Sequence, residues 1–376
     1  MMRRKGLVSA ALATLLALTM TACGGDSSTP TNDDGSGSDA GGTPEYTIKV
    51  GHTLQEDTPA HKAWLLFEEQ VEANSEGRIA VELYPNSSLG TERVMFEACQ
   101  MGTLEVAYGT TSVLANFDKN MEVLDLPFLF EDEATARAAI TGELGTAAAA
   151  NLGDIGLINL TYMENGIRHV TNSSHPINTP DDLRDLKIRT MENSIHMSSF
   201  THLGASPTPM AFTELFTALQ QGTVDGQDNG AELTWQSKFQ EVQKYYVYTK
   251  HIYSPYVILM SGETFNGLTP EEQEIIMKIS DEAVAYERER CSEYEAVALE
   301  NIKSYPGMNY AELSPEVVEE MKAACAGIKD LAYEKVEHPE VIDLLYSEAE
   351  KAKEKYPAEQ TTDAPAQTEA DAAPAA

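Results

Sequence analysis

Arg189 and Glu192 are the residues whose types and spacing first suggest chemistry. Leu186-Lys187-Ile188-Arg189-Thr190-Met191-Glu192-Asn193 alternates as a short strand. Leu186, Ile188 and Thr190 fall on one face, and Lys187, Arg189 and Met191 on the other. An arginine at the carboxyl end of such a strand can grip a carboxylate through two parallel N–H bonds. The competing reading is an exposed arginine paired with a surface glutamate, because most charged side chains are solvated. A second arginine, Arg168, lies in the strand-like segment Ile167-Arg168-His169-Val170-Thr171. Other chemistry is hard to find. The chain has no Walker A loop, no His-Glu-x-x-His and no Gly-x-Ser-x-Gly elbow. Its eight histidines show no metal-ligand spacing, so His52, His169 and His251 are read as structural rather than catalytic. Carboxylates are abundant, and none is singled out as half of a catalytic pair.

The charge balance narrows the partners. Against 60 Asp and Glu stand 26 Lys and Arg, for a net charge of −34. Such a field repels nucleic acid and anionic membrane. An anionic ligand must therefore find a local positive pocket inside a negative shell. The length of 376 residues allows two domains with separate cores.

The first residues read as an export signal. Met1-Met2-Arg3-Arg4-Lys5 precedes an apolar run from Leu7 to Met20, shorter than the ~20 residues that span a bilayer. Met20-Thr21-Ala22-Cys23-Gly24 resembles a bacterial lipobox, in which Cys23 would be lipidated and become the first mature residue. A methionine at the first lipobox position departs from the usual Leu, Val or Ile, and a plain secretory signal cut near Ala22 is the alternative. Of the remaining cysteines, Cys291 and Cys325 are expected either to pair in an oxidising compartment or, with Cys99, to stay as buried thiols. Residues 1–22 are thus assigned to a leader, 23–44 to a Gly/Ser-rich tether and 357–376 to a disordered acidic tail.

The elements that must position the arginines alternate between strand and helix, which argues for open, largely parallel α/β sheets. Tyr46–His52 reads as a strand, and Thr58-Pro59 caps a helix running to Asn74. Another strand (Arg78–Tyr84), helix (Glu92–Met101) and strand (Leu104–Tyr108) follow. Leu157–Tyr162 and Ile167–Thr171 read as two strands separated by a turn at Asn165-Gly166. The helix carrying Phe212, Leu215, Phe216 and Leu219 shows a core-facing stripe. A weak internal repeat links Gln100-Met101-Gly102-Thr103-Leu104-Glu105 to Gln220-Gln221-Gly222-Thr223-Val224-Asp225, each with a glycine as helix stop. The longest predicted helix runs from Pro270 to Ser304. Its middle, Glu287-Arg288-Glu289-Arg290, is polar all round and suggests a bridge between two bodies. Helices are expected at Ser314–Ile328 and Pro339–Lys355.

Taken together and in order, several motifs resemble the extracytoplasmic solute-binding proteins of TRAP (tripartite ATP-independent periplasmic) transporters, from about Ile48 to Lys353. These are Leu89-Gly90-Thr91-Glu92-Arg93, Leu126-Pro127-Phe128, Glu164-Asn165-Gly166-Ile167-Arg168, Leu186-Lys187-Ile188-Arg189, Pro207-Thr208-Pro209-Met210 and Val224-Asp225-Gly226-Gln227-Asp228-Asn229. The resemblance implies a two-lobed α/β fold of the periplasmic-binding-protein kind, with the long helix spanning both lobes. Lobe 1 is expected at 45–165 plus 254–293 and lobe 2 at 166–253 plus 294–356.

By the same resemblance, Arg189 would form the two-point salt bridge to a ligand carboxylate, Arg168 a second positive contact, and Asn229 would orient the carboxylate. Phe212 would pack beside the ligand, and Glu92, Thr110 and His52 would meet its distal end. Glu192 is expected either to read ligand hydroxyls, favouring a sugar acid over a C4-dicarboxylate, or to pair with Arg168. Asp228-Asn229-Gly230 departs from the family's Glu-Asn-Pro, which leaves that loop freer. The implied protein is a monomeric receptor, lipid-anchored outside the cytoplasm, with no cofactor, metal or catalytic residue. It would deliver an organic acid to a membrane permease. A binding protein of an ATP-driven importer and a secreted hydrolase are the other classes left open.

Overall fold

The computed structural model describes residues 43–356, so the leader, Cys23, the tether up to residue 42 and the tail from 357 lie outside the described residues. β1 (Tyr46–Gly51) leads to Thr58, whose hydroxyl accepts the His61 N–H at 3.3 Å and starts α1 (Pro59–Asn74). β2 (Ile79–Tyr84), α2 (Glu92–Gln100) and β3 (Val106–Thr110) follow. Next comes the 16-residue strand β4 (Leu157–Asn172). A second series runs through β5 (Lys187–Thr190), α3 (Ser194–His202), β6 (Ser206–Pro209), α4 (Phe212–Gln221), β7 (Gly226–Asn229) and α5 (Ala231–Gln236). The chain then forms β8 (Tyr245–Ser261), the long helix α6 (Pro270–Ser304) and the short edge strand β9 (Asn309–Glu312).

The sheet order, β2-β1-β3-β8-β4-β7-β5-β6 with β9 also on β8, contains one pattern twice. In the first copy β2-β1-β3 are parallel, and β3 runs antiparallel to the second half of β8. In the second copy β6-β5-β7 are parallel, and β7 runs antiparallel to the second half of β4. β4 and β8 pair with each other from Leu157↔Ser261 to Asn172↔Tyr245, so both strands serve both halves. The sequence repeat falls at matching places in the two copies. Gly102 (φ 70) and Gly222 (φ 67) adopt the same left-handed conformation. The next residues, Thr103 and Thr223, donate to Ala98 and Ala218 at 2.9 Å in each case.

Three expectations need correction. Asn165-Gly166 is not a turn between two strands. Gly166 takes φ 82 inside β4, where the register slips between Glu164 and Ile167, so the extra backbone makes a bulge and the strand continues. α6 spans the expected 35 residues, about 50 Å, and is closed by a Thr269–Glu272 capping box. Its polar middle is not solvated all round, however. Glu287 is fully buried and both its oxygens accept the Glu164 N–H at 3.2 Å, so this turn faces β4. Finally, the carboxyl-terminal helices number three, at Pro315–Ala324, Ile328–Lys335 and Glu340–Lys355.

Among the described residues, the thiols of Cys99, Cys291 and Cys325 are unpaired. Cys291 donates to Glu287 Oε1 at 3.0 Å, and burial pushes Cys99 and Cys325 each up to about 12. Trp64 and Phe67 of α1, Ile48 and Val50 of β1, and Ile276, Ile279 and Ala283 of α6 form one apolar core. Each fully buried Ile, Val or Phe among them stabilises the fold by roughly 1.5–3 kcal/mol. None of the described helices is long and apolar enough to cross a membrane.

Candidate functional site

Both series of parallel strands end toward a common cleft, as ligand sites in open α/β sheets do. A cavity of about 150 Å³ lies there, walled by Thr53, Glu92, Arg93 and Val113 from the first half and by Arg189, Glu192, Met210 and Phe212 from the second. β5 delivers Arg189 to it, paired in register with Thr208 on β6 and Gln227 on β7. The Met210 carbonyl accepts from Arg189 Nε at 3.0 Å and from Nη2 at 2.8 Å. One backbone oxygen therefore fixes the guanidinium plane and leaves its Nη1/Nη2 edge for a carboxylate. Burial, then the nearby charge of Arg168, brings Arg189 down to about 10, against the opposing pull of Asp228, Glu92 and Glu192. It stays protonated at neutral pH, held beside a like charge that an anion would relieve.

Arg168 sits beneath the cleft rather than on its wall. It is fully buried on β4, where its Nε donates to Asp228 Oδ2 at 2.7 Å and its Nη2 to the Asp228 carbonyl. Its Nη1 has no partner within the protein. His196 and His251 place their Nε2 atoms 3.2 Å from the same Asp228 oxygen. Burial alone would raise Asp228, but Arg168, then His196, outweigh it and hold the carboxylate well below its usual range. Among the described residues this is the group whose His and Asp atoms lie close enough to share a metal ion. The guanidinium already bonded to that carboxylate would repel such an ion at close range, so the set reads as an anchor for Arg168.

The other expected residues divide. Glu92 lines the cleft, accepts the Thr110 hydroxyl at 2.9 Å, and is pushed up by burial despite that bond and the two arginines. Thr110 thus orients Glu92 and does not itself line the cavity. Gly109 gives Glu92 its room, since a Cβ there would lie 3.0 Å from Glu92 Cγ. Phe212 opens α4 on the cleft wall, edge-on to Phe239 with ring centres 6.0 Å apart. Asn229 is buried and donates to Gln227 Oε1, outside the cavity lining.

His52 is not on the wall either. It is buried against Tyr108 with its Nε2 3.1 Å from His61 Nδ1, and burial, then the His61 charge, lowers it to about 3. Thr53, the next residue, takes the cleft position. Glu192 pairs with Arg93 at 3.8 Å rather than with Arg168, and its carbonyl accepts Asn116 Nδ2 at 2.7 Å. Both contacts tie the segment after β5 to the first half of the molecule. Sequence reasoning missed Thr53, Met210, His196 and the role of Asp228. The resemblance pointed to His52, one residue before Thr53, and nothing in sequence joins His196 to His251.

Comparison with known proteins gives one family. The profile described as DctP, bacterial extracellular solute-binding protein family 7, matches residues 50–335. The 2,3-diketo-L-gulonate-binding periplasmic protein YiaO of Escherichia coli (strain K12) is 34% identical over 68% of this chain and 78% of its own length. The sugar acid binding protein DctPAm of Advenella mimigardefordensis, solved with galactonate, is 35% identical at a TM-score of 0.78, covering 81% of this chain and 98% of that one. A TRAP periplasmic solute binding protein of Shewanella oneidensis, solved with succinate, is 27% identical at a TM-score of 0.78, covering 82% of this chain and 100% of that one.

Proposed function

Because the chain belongs to the DctP family of bacterial extracellular solute-binding proteins, the solute receptors of TRAP transporters, we propose that it binds an organic acid anion through Arg189 and hands it to a membrane permease. The observation that carries this reading is the guanidinium fixed by the Met210 carbonyl with its outer edge unused in the cleft. Arg168 would supply a second positive charge from below, and Asn229, buried beside it at the end of β7, would orient the carboxylate. A charge-assisted bond contributes roughly 1.5–3 kcal/mol net. A two-point contact and a second cation thus supply most of the ~8 kcal/mol of a micromolar complex.

The far wall favours a hydroxylated acid. Glu92 and Glu192 present carboxylates where the distal end of a ligand would lie. They can accept from hydroxyl groups, and with Arg93 on that wall already drawn to Glu192 at 3.8 Å the wall would repel the second carboxylate of a C4-dicarboxylate more than attract it. The receptor is therefore a binder of sugar-acid monoanions and no enzyme. Closure brings lobe 1 (45–165 plus 254–293) onto lobe 2 (166–253 plus 294–356), with β4, β8 and α6 bending between them. Lipid on Cys23 would hold this monomer at the outer face of the cell membrane, with the tether setting its reach.

Thermal-shift titration with galactonate, erythronate, 2,3-diketogulonate and succinate at neutral pH tests the choice. Polyhydroxy monoacids should raise the melting midpoint more than succinate does. A larger shift with succinate would overturn the assignment of the far wall.

A further inference from the structure

A second cavity, of about 270 Å³, shares no lining residue with the carboxylate cleft and lies between α1, the bulge of β4, the start of α5 and the middle of α6. Its walls carry five carboxylates, Glu133, Glu164, Glu232, Glu287 and Glu295, against one guanidinium, Arg137. Two of the acids are occupied by backbone donors. Glu295 accepts the first N–H groups of α5, from Ala231 at 2.9 Å and Glu232 at 2.7 Å, and Glu287 accepts from Glu164. Glu164 and Glu232 are each left with one buried oxygen unpaired. Glu164 is only 5% exposed and gives Oε2 to Arg137, while its Oε1 has no hydrogen-bond partner. Tyr253 leans on Glu164 from the core side without meeting normal hydrogen-bond geometry. Glu232 Oε1, on the opposite wall, is likewise buried and without a partner. Unmet buried acceptors of this kind cost free energy until a donor fills them.

The missing donor is not a compact metal ion. Among the described residues, these carboxylates form no group of three whose oxygens come close enough to share one ion. The rest of the lining mixes aliphatic and aromatic residues, among them Leu54, Leu299, Tyr248 and Tyr256, with the uncharged polar groups of Thr58, Asn165 and Ser292. Carboxylates spaced around aromatic and aliphatic walls suit an alkyl chain ending in ammonium or guanidinium groups. The mouth opens at Ser292 and Ala296, both exposed, on a chain whose net charge of −34 attracts cations.

We propose that this cavity is a binding site for a small organic cation of the alkyl diamine or guanidinoalkylamine class, held between Glu164 and Glu232. Protons should leave when it binds. Burial lifts Glu232 to about 8, and an ammonium group beside it favours the carboxylate.

Isothermal titration of the whole exported chain with putrescine and with agmatine, in two buffers of different ionisation enthalpy near pH 7, tests the site. The expected result is saturable one-to-one binding with buffer-dependent heat, weakened about tenfold in Glu232→Gln. Glu232→Gln removes the charge but breaks no hydrogen bond through Oε1, and circular dichroism would check its fold. Ala296→Trp, at the exposed mouth, should block entry by a different route. Absence of saturable heat in the wild type would overturn the proposal, as would binding that both variants leave unchanged. Because neither diamine carries a carboxylate, failure here leaves the reading of the Arg189 cleft untouched, and failure of that reading leaves this one standing.

Discussion

Arg189 and Arg168 are both buried, yet only Arg168 has a carboxylate of its own. The two should respond differently to truncation. Arg168→Ala leaves Asp228 buried and uncompensated, and loss of one partner of a buried ion pair costs about 3–5 kcal/mol of stability. Arg189→Ala removes a poorly compensated charge, so denaturant unfolding should show it at least as stable as wild type while ligand affinity collapses. Equal destabilisation by both variants would contradict this division. Glu192→Gln is expected to lower affinity for polyhydroxy acids and weaken the tie to Arg93; titration with unchanged selectivity would remove Glu192 from the site. At this scale the sequence was informative where type and position coincide, as in Arg189, Glu92, Glu192 and Phe212. It did not join His196 to His251, because an imidazole beside a buried carboxylate looks like any other histidine until the fold brings the two together.

Glycines mark the places where elements are most constrained. Gly222 stops α4 with φ 67 and nothing within 4 Å of a Cβ, so Gly222→Ala should cost only the backbone strain, about 1 kcal/mol, with affinity unchanged. Gly226→Ala is different, because its Cβ would lie 2.1 Å from the Thr171 carbonyl and force β7 off β4. Gly109→Ala would press on Glu92 and Phe96, and should weaken ligand binding more than it lowers the melting midpoint. Helix caps such as Thr58-Pro59 and Thr269–Glu272 were legible because capping is local chemistry. The bulge at Gly166 was not: a left-handed glycine after asparagine signals a turn equally well, and only pairing with β8 decides between them. The repeat around Gly102 and Gly222 gave the halves, whereas sharing of β4 and β8 between them is a long-range property of the sheet.

Over the whole molecule, buried acids set the pH response. Burial first, then neighbouring carboxylates, lifts Glu232 and Glu287 to about 8; burial lifts Glu295 to about 7, although its backbone hydrogen bonds pull the other way. Their folded values exceed the ordinary 4.5, so between about pH 4.5 and 8 the folded chain holds more protons than the unfolded one. Stability should therefore fall as pH rises through that window, and Glu232→Gln should flatten the slope. Asp228, held low, contributes stability that is lost as pH falls through its folded value, giving a separate acid limb. A melting midpoint that climbs steadily from pH 5 to 8 would contradict the burial of these acids.

Ligand binding here turns on whether the Arg189 fork holds the ligand carboxylate. Isothermal titration of galactonate into wild type and Arg189→Lys tests it most directly, because lysine keeps the charge and loses the planar two-point geometry. Wild type should bind saturably, and the lysine variant should lose at least tenfold in affinity, about 1.4 kcal/mol. Near-native affinity in Arg189→Lys would contradict it.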